Sequence, residues 1–158
     1  AVKMAREKGY YAKVLPGISA EDCLFADLLV DPGSCGCQSY EATDLLIHRR
    51  PLTPQSHLIL WQVGIIGILG HQNSINSQEG LQVLVNYLKD YYSLQHKVFL
   101  YEAEQYPSYE PYIQKTTIEK LPEAKTSRLT TLYIPPESKL PCDQKMLESL
   151  KMNIQELE

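Results

Sequence analysis

The sequence lacks the long apolar run that a membrane-spanning protein requires. Its best candidate, Leu58 to Leu69, is interrupted by Gln62, Gly64 and Gly67, whereas a spanning helix needs about 20 mostly apolar residues in succession. No positively charged and then apolar leader of the secretory type opens the chain. We therefore expect no association with a membrane.

Basic residues are not in excess, and cysteines are few. Lys and Arg number 15 against 19 Asp and Glu, which leaves a net charge of −4 and no basic footprint for nucleic acid. Four cysteines in 158 residues are too few for a disulfide scaffold, so we expect free thiols and a cytoplasmic protein. Cys35 and Cys37 form a C-x-C pair without a second pair, and since structural zinc needs four ligands we expect no metal site.

The chain begins in what reads as the middle of a helix. Residues Ala1 to Lys8 favour helix and Gly9 is a natural residue to end it, yet neither an initiator Met nor a capping residue precedes them. We therefore expect the sequence to be a piece of a longer protein.

The first thirty residues have the order of an α/β layer. Tyr10 to Leu15 predicts a short strand, and a Pro-Gly turn follows it. Ser19 is placed to cap a helix, with Asp22 three positions later as an approximate capping box. Apolar residues at helical spacing then continue to Leu29.

The remainder of the chain alternates predicted strands and helices, with a domain boundary expected at Ser34 to Gly36. Thr116 to Leu121 is left open as a short helix or strand. We predict the other elements as strand Cys37 to Ser39, helix Tyr40 to Arg49, strand His57 to Val63, loop Gly64 to Ser77, helix Gly80 to Tyr92, strand Lys97 to Ala103, irregular Pro107 to Pro111, strand Arg128 to Ile134 and helix Asp143 to Lys151.

Tyrosine is unusually frequent, with 11 Tyr against 2 Phe. Tyrosine rings have an apolar face and a polar end, which suits them to interfaces. We interpret them as part of a subunit interface, with a stacking site for a ligand ring as the alternative. Two groups stand out, namely Tyr87, Tyr91 and Tyr92 on one predicted helix and Tyr101, Tyr106, Tyr109 and Tyr112 in one segment.

Two segments are candidates for ligand binding. Pro16 to Ala20 forms a strand-to-helix turn, and open α/β sheets bind ligands at the carboxyl ends of strands near helix amino termini. Gln62 closes the apolar run of the strand predicted at His57 to Val63, and a buried amide needs hydrogen-bond partners. Either a ligand or the protein backbone could supply those partners.

At these same residues the chain resembles a known family. The run Lys13 to Asp22 is similar to the "PGIS-A" segment of the tetrapyrrole methylases. Further segments resemble the borosin peptide backbone N-methyltransferases. These segments are Phe25 to Leu28, Asp31 to Gly33, Gly36 to Thr43, Leu60 to Gly64, Tyr101 to Ala103 and Thr130 to Pro136.

The resemblance implies an α/β fold of the tetrapyrrole-methylase type. Residues 1–33 would complete an N-terminal methylase domain, and residues 34–158 would form a C-terminal domain with a mixed sheet. The implied cofactor is S-adenosylmethionine (SAM), and S-adenosylhomocysteine is the implied product. SAM would bind between the two domains of each subunit, and two subunits would form a homodimer. The implied cofactor-binding residues are Ser19, Ala20, Gln62, Ala103, Thr131 and Leu132, with Tyr101 and Glu104 as weaker candidates.

The resemblance places the family's Gly-rich loop and catalytic Tyr and Arg residues before Ala1, so no residue here is assigned to catalysis. The expected activity of the parent enzyme is N-methylation of a peptide backbone, and this chain alone is expected to be inactive. The alternatives are C-methylation of a tetrapyrrole or corrin, and a dimerisation or interaction module without catalysis. A generic nucleotide-binding α/β fragment is a third possibility.

Overall fold

A computed structural model describes residues 1–68 and 77–153. The chain divides into a smaller compact unit, residues 1–30, and a larger one, residues 31–158. Much of the loop predicted between Gly64 and Ser77 lies outside the described residues. Within those residues, no helix is both long and apolar enough to cross a bilayer.

The smaller unit contains two helices, α1 (Val2–Glu7) and α2 (Ala20–Leu28). The capping box predicted before α2 is confirmed: the Asp22 N–H donates to Ser19 Oγ at 3.2 Å, and the Ser19 N–H donates to the Asp22 carboxylate at 2.7 Å. The bond from the Ser19 backbone holds the pKa of Asp22 below its usual value. Leu29 ends α2 on left-handed backbone, with φ 54°.

The strand predicted at Tyr10 to Leu15 is wrong, because this segment has no regular secondary structure. A strand needs a neighbouring strand to satisfy its backbone groups, and residues 1–30 contain none. Tyr11 is 94% exposed and Leu15 72% exposed, so the apolar side chains that suggested a strand are not buried here.

The larger unit is built on a five-stranded mixed sheet in the order β1-β2-β5-β3-β4. Strands β1 and β2 are parallel, and the other neighbours are antiparallel. The strands are β1 (Cys37–Glu41), β2 (His57–Trp61), β3 (Lys97–Glu102), β4 (Tyr112–Thr117) and β5 (Thr131–Ile134). The helices are α3 (Ala42–His48), α4 (Ser77–Leu88) and α5 (Gln144–Leu150), with 3₁₀ turns at Val63–Ile65 and Ile118–Glu123.

The central strands are buried on both faces. Alternate residues point to opposite faces of a sheet, and Leu58, Leu60 and Leu132 belong to the core that also contains the buried side of α4. On the opposite face, Ile59 and Tyr133 are buried as well. The prediction of a strand buried on both faces is therefore confirmed for β2, which ends at Trp61 rather than Val63.

The sequence pattern failed to identify β4: it assigns no element to Tyr112 to Lys115, and Thr116 and Thr117 belong to the segment given as a short helix or strand. This strand lies at the sheet edge, pairs only with β3 among the described strands, and alternates weakly between exposed and half-buried positions. A half-exposed edge strand does not need a clear apolar pattern. The segment Thr116 to Leu121 combines the end of β4 with the start of the second 3₁₀ turn.

Two of the α4-region tyrosines are core residues, so the interface interpretation is wrong for them. Tyr87 is 9% exposed and Tyr92 is 4% exposed. The Tyr87 hydroxyl donates to the carbonyl of Arg50, and burial raises the pKa of Tyr87 to about 12. The helix itself ends at Leu88, with a turn through Tyr92.

Candidate functional site

Most of the residues expected to bind a cofactor lie along one edge of the sheet, at the carboxyl ends of β2 and β3. Strands β1, β2 and β3 run in the same direction and β5 runs opposite to them. The carboxyl ends of β2 and β3 therefore lie beside the amino end of β5. The register pairs Leu60 with Leu132, and Tyr101 with Thr131. Gln62 and Ala103 follow β2 and β3 directly, on either side of β5, about 10 Å apart by two strand spacings.

Gln62 leaves β2 on left-handed backbone, with φ 59° and ψ 35°. Few residues other than glycine adopt this conformation, and it costs on the order of 1 kcal/mol. The next residue returns to the sheet, since the Val63 N–H donates to the Thr130 carbonyl at 3.1 Å. The side chain of Gln62 is exposed and its amide makes no hydrogen bond to the residues the structure describes. Among the described residues, the donor and acceptor of this amide therefore have no partner at the sheet edge.

Glu102 fixes the turn that leads into β5. One of its carboxylate oxygens accepts from Ser127 Oγ at 2.7 Å and from Thr130 Oγ1 at 2.5 Å. Thr130 Oγ1 in turn accepts the Ser127 N–H at 2.7 Å. Charge-assisted hydrogen bonds of this kind are short and strong. Glu102 therefore ties the end of β3 to the start of β5.

Gly64 brings the chain after Gln62 close to the same turn. A Cβ atom at Gly64 would lie 2.0 Å from the carbonyl oxygen of Ser127. Only glycine permits two backbones to approach so closely. Gly64 and Glu102 thus both contact the turn from Ser127 to Thr130, which leads into β5.

A shallow cavity of about 280 Å³ extends from the end of β3. Ala103 is half-buried and Glu104 is exposed where they line it. The exposed rings of Tyr106 and Tyr109 lie 6.0 Å apart on its side. The tyrosines of this segment thus form a concave surface next to the sheet edge, unlike those near α4.

The structure brings six of the eight predicted binding residues to this one region. Tyr101 and Leu132 are fully buried and Thr131 is 3% exposed. Tyr101 and Leu132 each pair with a strand on both sides, so their backbones belong to the sheet ladder. Gln62, Ala103 and Glu104 carry accessible atoms. Ser19 and Ala20 are exposed residues at the amino end of α2 in the smaller unit. Among the described residues, no three His, Cys, Asp or Glu side chains cluster as a metal site would require.

Sequence reasoning missed Glu102, Ser127 and Thr130 as a group. Glu102 stood inside the recognised Tyr-Glu-Ala segment, so its position at a strand end was a signal that could have been used. Ser127 and Thr130 come 25 and 28 residues later, and nothing in their local pattern indicates that they meet Glu102.

Comparison with known proteins first defines the fold. No family model matches the chain. A uroporphyrin-III C-methyltransferase from Thermus thermophilus, solved with S-adenyl homocysteine, superposes with a TM-score of 0.55 and 13% identity over 85% of this chain and 57% of that one. A cobalt precorrin-4 methyltransferase superposes with a TM-score of 0.54 and 13% identity over 84% of this chain and 55% of its own. The fold is that of the tetrapyrrole methylases.

Curated relatives then define the family. The methyltransferase and dendrothelin A precursor of Dendrothele bispora is 43% identical over 143 residues, which cover 88% of this chain and 34% of that protein. The methyltransferase and omphalotin A precursor of Omphalotus olearius is 38% identical over 156 residues, covering 96% and 37%. A methyltransferase and type I borosin precursor of Coprinopsis marcescibilis is 39% identical over 161 residues, covering 96% and 41%. The chain belongs to the borosin methyltransferase family and spans 34–41% of the length of these three relatives.

Proposed function

We propose that this chain forms one wall of the cofactor site in a SAM-dependent methyltransferase that N-methylates the backbone of a peptide. The observation that supports this most is the exposed amide of Gln62, held on left-handed backbone where β2 ends. Relatives whose names join a methyltransferase to a cyclic-peptide precursor support a peptide substrate.

The donors and acceptors at this edge fit such a cofactor. The Gln62 amide can both donate and accept, as the polar groups of a nucleoside or an amino acid require. Ala103 is small, which leaves room beside the end of β3, and Thr131 begins the strand that lies between β2 and β3. When bound, SAM supplies an electrophilic methyl group on a sulfonium. Glu102 is a positioning residue, because it fixes the turn before Thr131.

Other parts of the active centre are proposed to come from elsewhere. Ser19 and Ala20, in the smaller unit, stay cofactor-binding residues that the resemblance to the family predicts. A peptide nitrogen must lose its proton before it can accept a methyl group, and the charge that develops on its carbonyl oxygen must be stabilised. We assign neither task to a residue of this chain, so the chain alone is proposed to be inactive. We further propose a homodimeric parent enzyme that acts in the cytoplasm, where the four free thiols would be maintained.

A chimera tests the proposal directly. Residues 1–158 would replace the matching stretch of the Dendrothele bispora relative, and tandem mass spectrometry would locate methyl groups on its fused peptide. We expect methylation at backbone nitrogens. In the chimera, Gln62→Ala should raise the KM for SAM about tenfold, as the loss of one buried hydrogen bond predicts. Gln82→Ala, on the exposed face of α4, is the matched control and should leave this KM unchanged.

Three results would contradict parts of the proposal. Equal effects of Gln62→Ala and Gln82→Ala would remove Gln62 from the cofactor site. A folded chimera that methylates uroporphyrinogen and leaves the peptide unmodified would favour a tetrapyrrole C-methyltransferase. Calorimetry that gives micromolar SAM affinity for the 158-residue chain alone would contradict the view that it holds only one wall of the site. Light scattering of the chimera tests the dimer.

A further inference from the structure

The last strand of the sheet is open along its outer side. Strand β4 pairs only with β3 among the described strands. In an antiparallel edge strand, alternate residues direct their backbone N–H and C=O groups away from the sheet, where a further strand can pair with them. The six residues of β4 contain no proline, and their register with β3 runs without a bulge. Two of the usual devices that close an edge to pairing are therefore missing from β4.

Exposed apolar and aromatic side chains surround the start of this open edge. Tyr112 and Ile113 are each 42% exposed, and the nearby Tyr106 and Tyr109 are 65% and 69% exposed. The one lysine of β4, Lys115, lies over the ring of Phe99 at 5.6 Å from its centroid. Its charge therefore lies on a face of the sheet and does not block the approach of a strand from the side.

The opposite edge strand, β1, is protected by its own side chains. Four of its five residues are half-buried, whereas β4 begins with two exposed residues. Gln38 of β1 donates to the Tyr40 hydroxyl at 3.2 Å, and its side-chain oxygen accepts the Thr53 N–H at 2.8 Å. The segment at Thr53 is thus held against β1, and β4 is the better surface for an added strand.

The shallow cavity at the start of β4 is acidic. Among the described residues, its lining contains the carboxylates of Glu102, Glu104 and Glu110 and no basic side chain. A segment that runs along β4 and continues past Tyr112 into this cavity is favoured when it carries a cationic side chain there. Ala103 lines the same cavity, so the end of such a segment reaches the candidate cofactor site.

We propose that the open edge of β4 binds the peptide substrate as an added antiparallel strand, with a basic side chain of the peptide in the acidic cavity. This inference rests on the proposed function, which supplies the peptide. Antiparallel pairing is the more stable kind, and it places the carboxyl end of the peptide beside Tyr112, where β4 begins.

Backbone pairing also distinguishes the substrate from its product. An N-methylated amide has no N–H to donate, so each methyl group at a paired position removes one hydrogen bond of the ladder. The edge therefore binds an unmethylated peptide more tightly than a methylated one. This preference favours release of the product and binding of the next unmethylated segment.

A labelled octapeptide tests the site without SAM and without methyl transfer. The probe alternates valine and threonine and ends in a lysine amide, and fluorescence anisotropy measures its Kd for the 158-residue chain. Two further probes carry N-methyl groups on alternate residues, one on the even and one on the odd positions. Only every second N–H of an added strand faces its neighbour. We therefore expect one methylated probe to bind about tenfold more weakly and the other to bind like the unmethylated probe.

Hydrogen exchange followed by NMR locates the bound probe. The unmethylated probe should slow exchange of alternate amides in β4 about tenfold, because these amides become paired. The amides of β1, the other edge strand, are the matched control and should exchange as before. Equal protection of the two edges, or equal affinity of the two methylated probes, would overturn the proposal.

A charge variant tests the acidic cavity. A probe that ends in glutamate in place of lysine should bind several-fold more weakly, and Glu110→Gln should reduce this difference. Glu79→Gln, at an exposed position of α4, removes the same charge elsewhere and should leave the difference unchanged. Circular dichroism would establish that both variants are folded. Equal effects of the two variants would remove the cavity from the binding site.

These results separate the docking site from the proposed function. A chain that does not bind the unmethylated probe overturns docking at β4, while peptide methylation by the chimera would still support the proposed function. Conversely, protection of β4 by the probe together with a folded chimera that methylates no peptide would contradict the proposed function, and with it the view that the peptide bound at β4 is a substrate.

Discussion

The two units of the molecule are stabilised in different ways. In residues 1–30 the local signals hold: Ser19 caps α2, Asp22 closes the capping box, and Leu29 ends the helix. Leu24 is the one buried side chain in that unit, whereas most of the buried apolar residues belong to the larger unit. The difference teaches that capping residues mark where a short helix begins, while a strand forms only where neighbouring strands and a core are present.

The strongest way to test this comparison is to add one methyl group in each unit. Gly64→Ala places a Cβ 2.0 Å from the Ser127 carbonyl, and a backbone neighbour cannot move aside easily. We expect a loss of about 3 kcal/mol or more in the free energy of unfolding, measured by urea denaturation.

The matched control is Gly17→Ala in the smaller unit. A Cβ there meets no atom within 4 Å, so the urea midpoint should stay within error of the unchanged protein. Equal losses from the two substitutions would contradict the view that close packing is confined to the larger unit.

Truncating one leucine in each unit should give the next largest difference. Leu60 is fully buried in the core, and Leu60→Ala should cost about 2–5 kcal/mol through lost burial and the cavity it leaves. Leu15 is 72% exposed, so Leu15→Ala should change the free energy of unfolding by less than about 0.5 kcal/mol. Urea denaturation measures both, and a large cost at Leu15 would mean that its segment is packed in solution.

The same contrast explains how much of the fold the sequence could predict. The apolar runs of β2 and β3 and the apolar stripe of α4 are strong local patterns, so these elements were placed to within a few residues. The polar edge strand β4 was missed, and Tyr10 to Leu15 was taken for a strand, since in both cases the outcome depends on the neighbours. Local patterns cannot identify those neighbours.

The candidate site was predictable to a similar extent. Gln62 is a candidate because it ends a recognisable strand, and Ala103 because the resemblance to the family implies it. The sheet order places both at one edge. The contact of Glu102 with Ser127 and Thr130 depends on antiparallel pairing of β3 with β5 across a long connection. That register follows from the packing of the complete sheet, which no short motif encodes.

Acid should destabilise the two units at different pH values. In the folded chain, burial lowers the pKa of His57 below its ordinary value of 6.5. At pH values between the folded pKa and 6.5, the unfolded chain therefore binds more protons than the folded one. Stability from neutral His57 is therefore complete above pH 6.5 and is lost as the pH falls through its folded pKa. Asp22 has a pKa below 3.8, so its contribution is complete above pH 3.8 and is lost only in stronger acid.

Urea denaturation between pH 7.5 and 5 would measure the first effect. The free energy of unfolding should decrease with falling pH, and His57→Asn should reduce that slope. Gln82→Asn, on the exposed face of α4, changes no titrating group and should keep that slope. Hydrogen exchange at the first amides of α2 should keep its protection over this pH range, because Asp22 stays ionised there. A slope that His57→Asn leaves unchanged would contradict the assignment to the buried ring.

The smallest expected effect compares an N-cap in each unit. Ser19 Oγ accepts the Asp22 N–H at 3.2 Å, and Asp143 Oδ1 accepts the Met146 N–H at 3.1 Å at the start of α5. Removing such a cap costs a helix about 1 kcal/mol. Ser19→Ala should therefore raise exchange rates of the amides at the start of α2 about fivefold.

The global midpoint should respond less to Ser19→Ala than to Asp143→Ala. Leu147 of α5 is 8% exposed and packs in the larger unit, where the cooperative core lies, whereas fraying of α2 leaves that core intact. Hydrogen exchange would measure the local cost of each cap, and urea denaturation would measure how much of it reaches the whole molecule. If Ser19→Ala lowers the urea midpoint as much as Asp143→Ala, the smaller unit unfolds together with the larger one, and local capping then contributes to the stability of the entire chain.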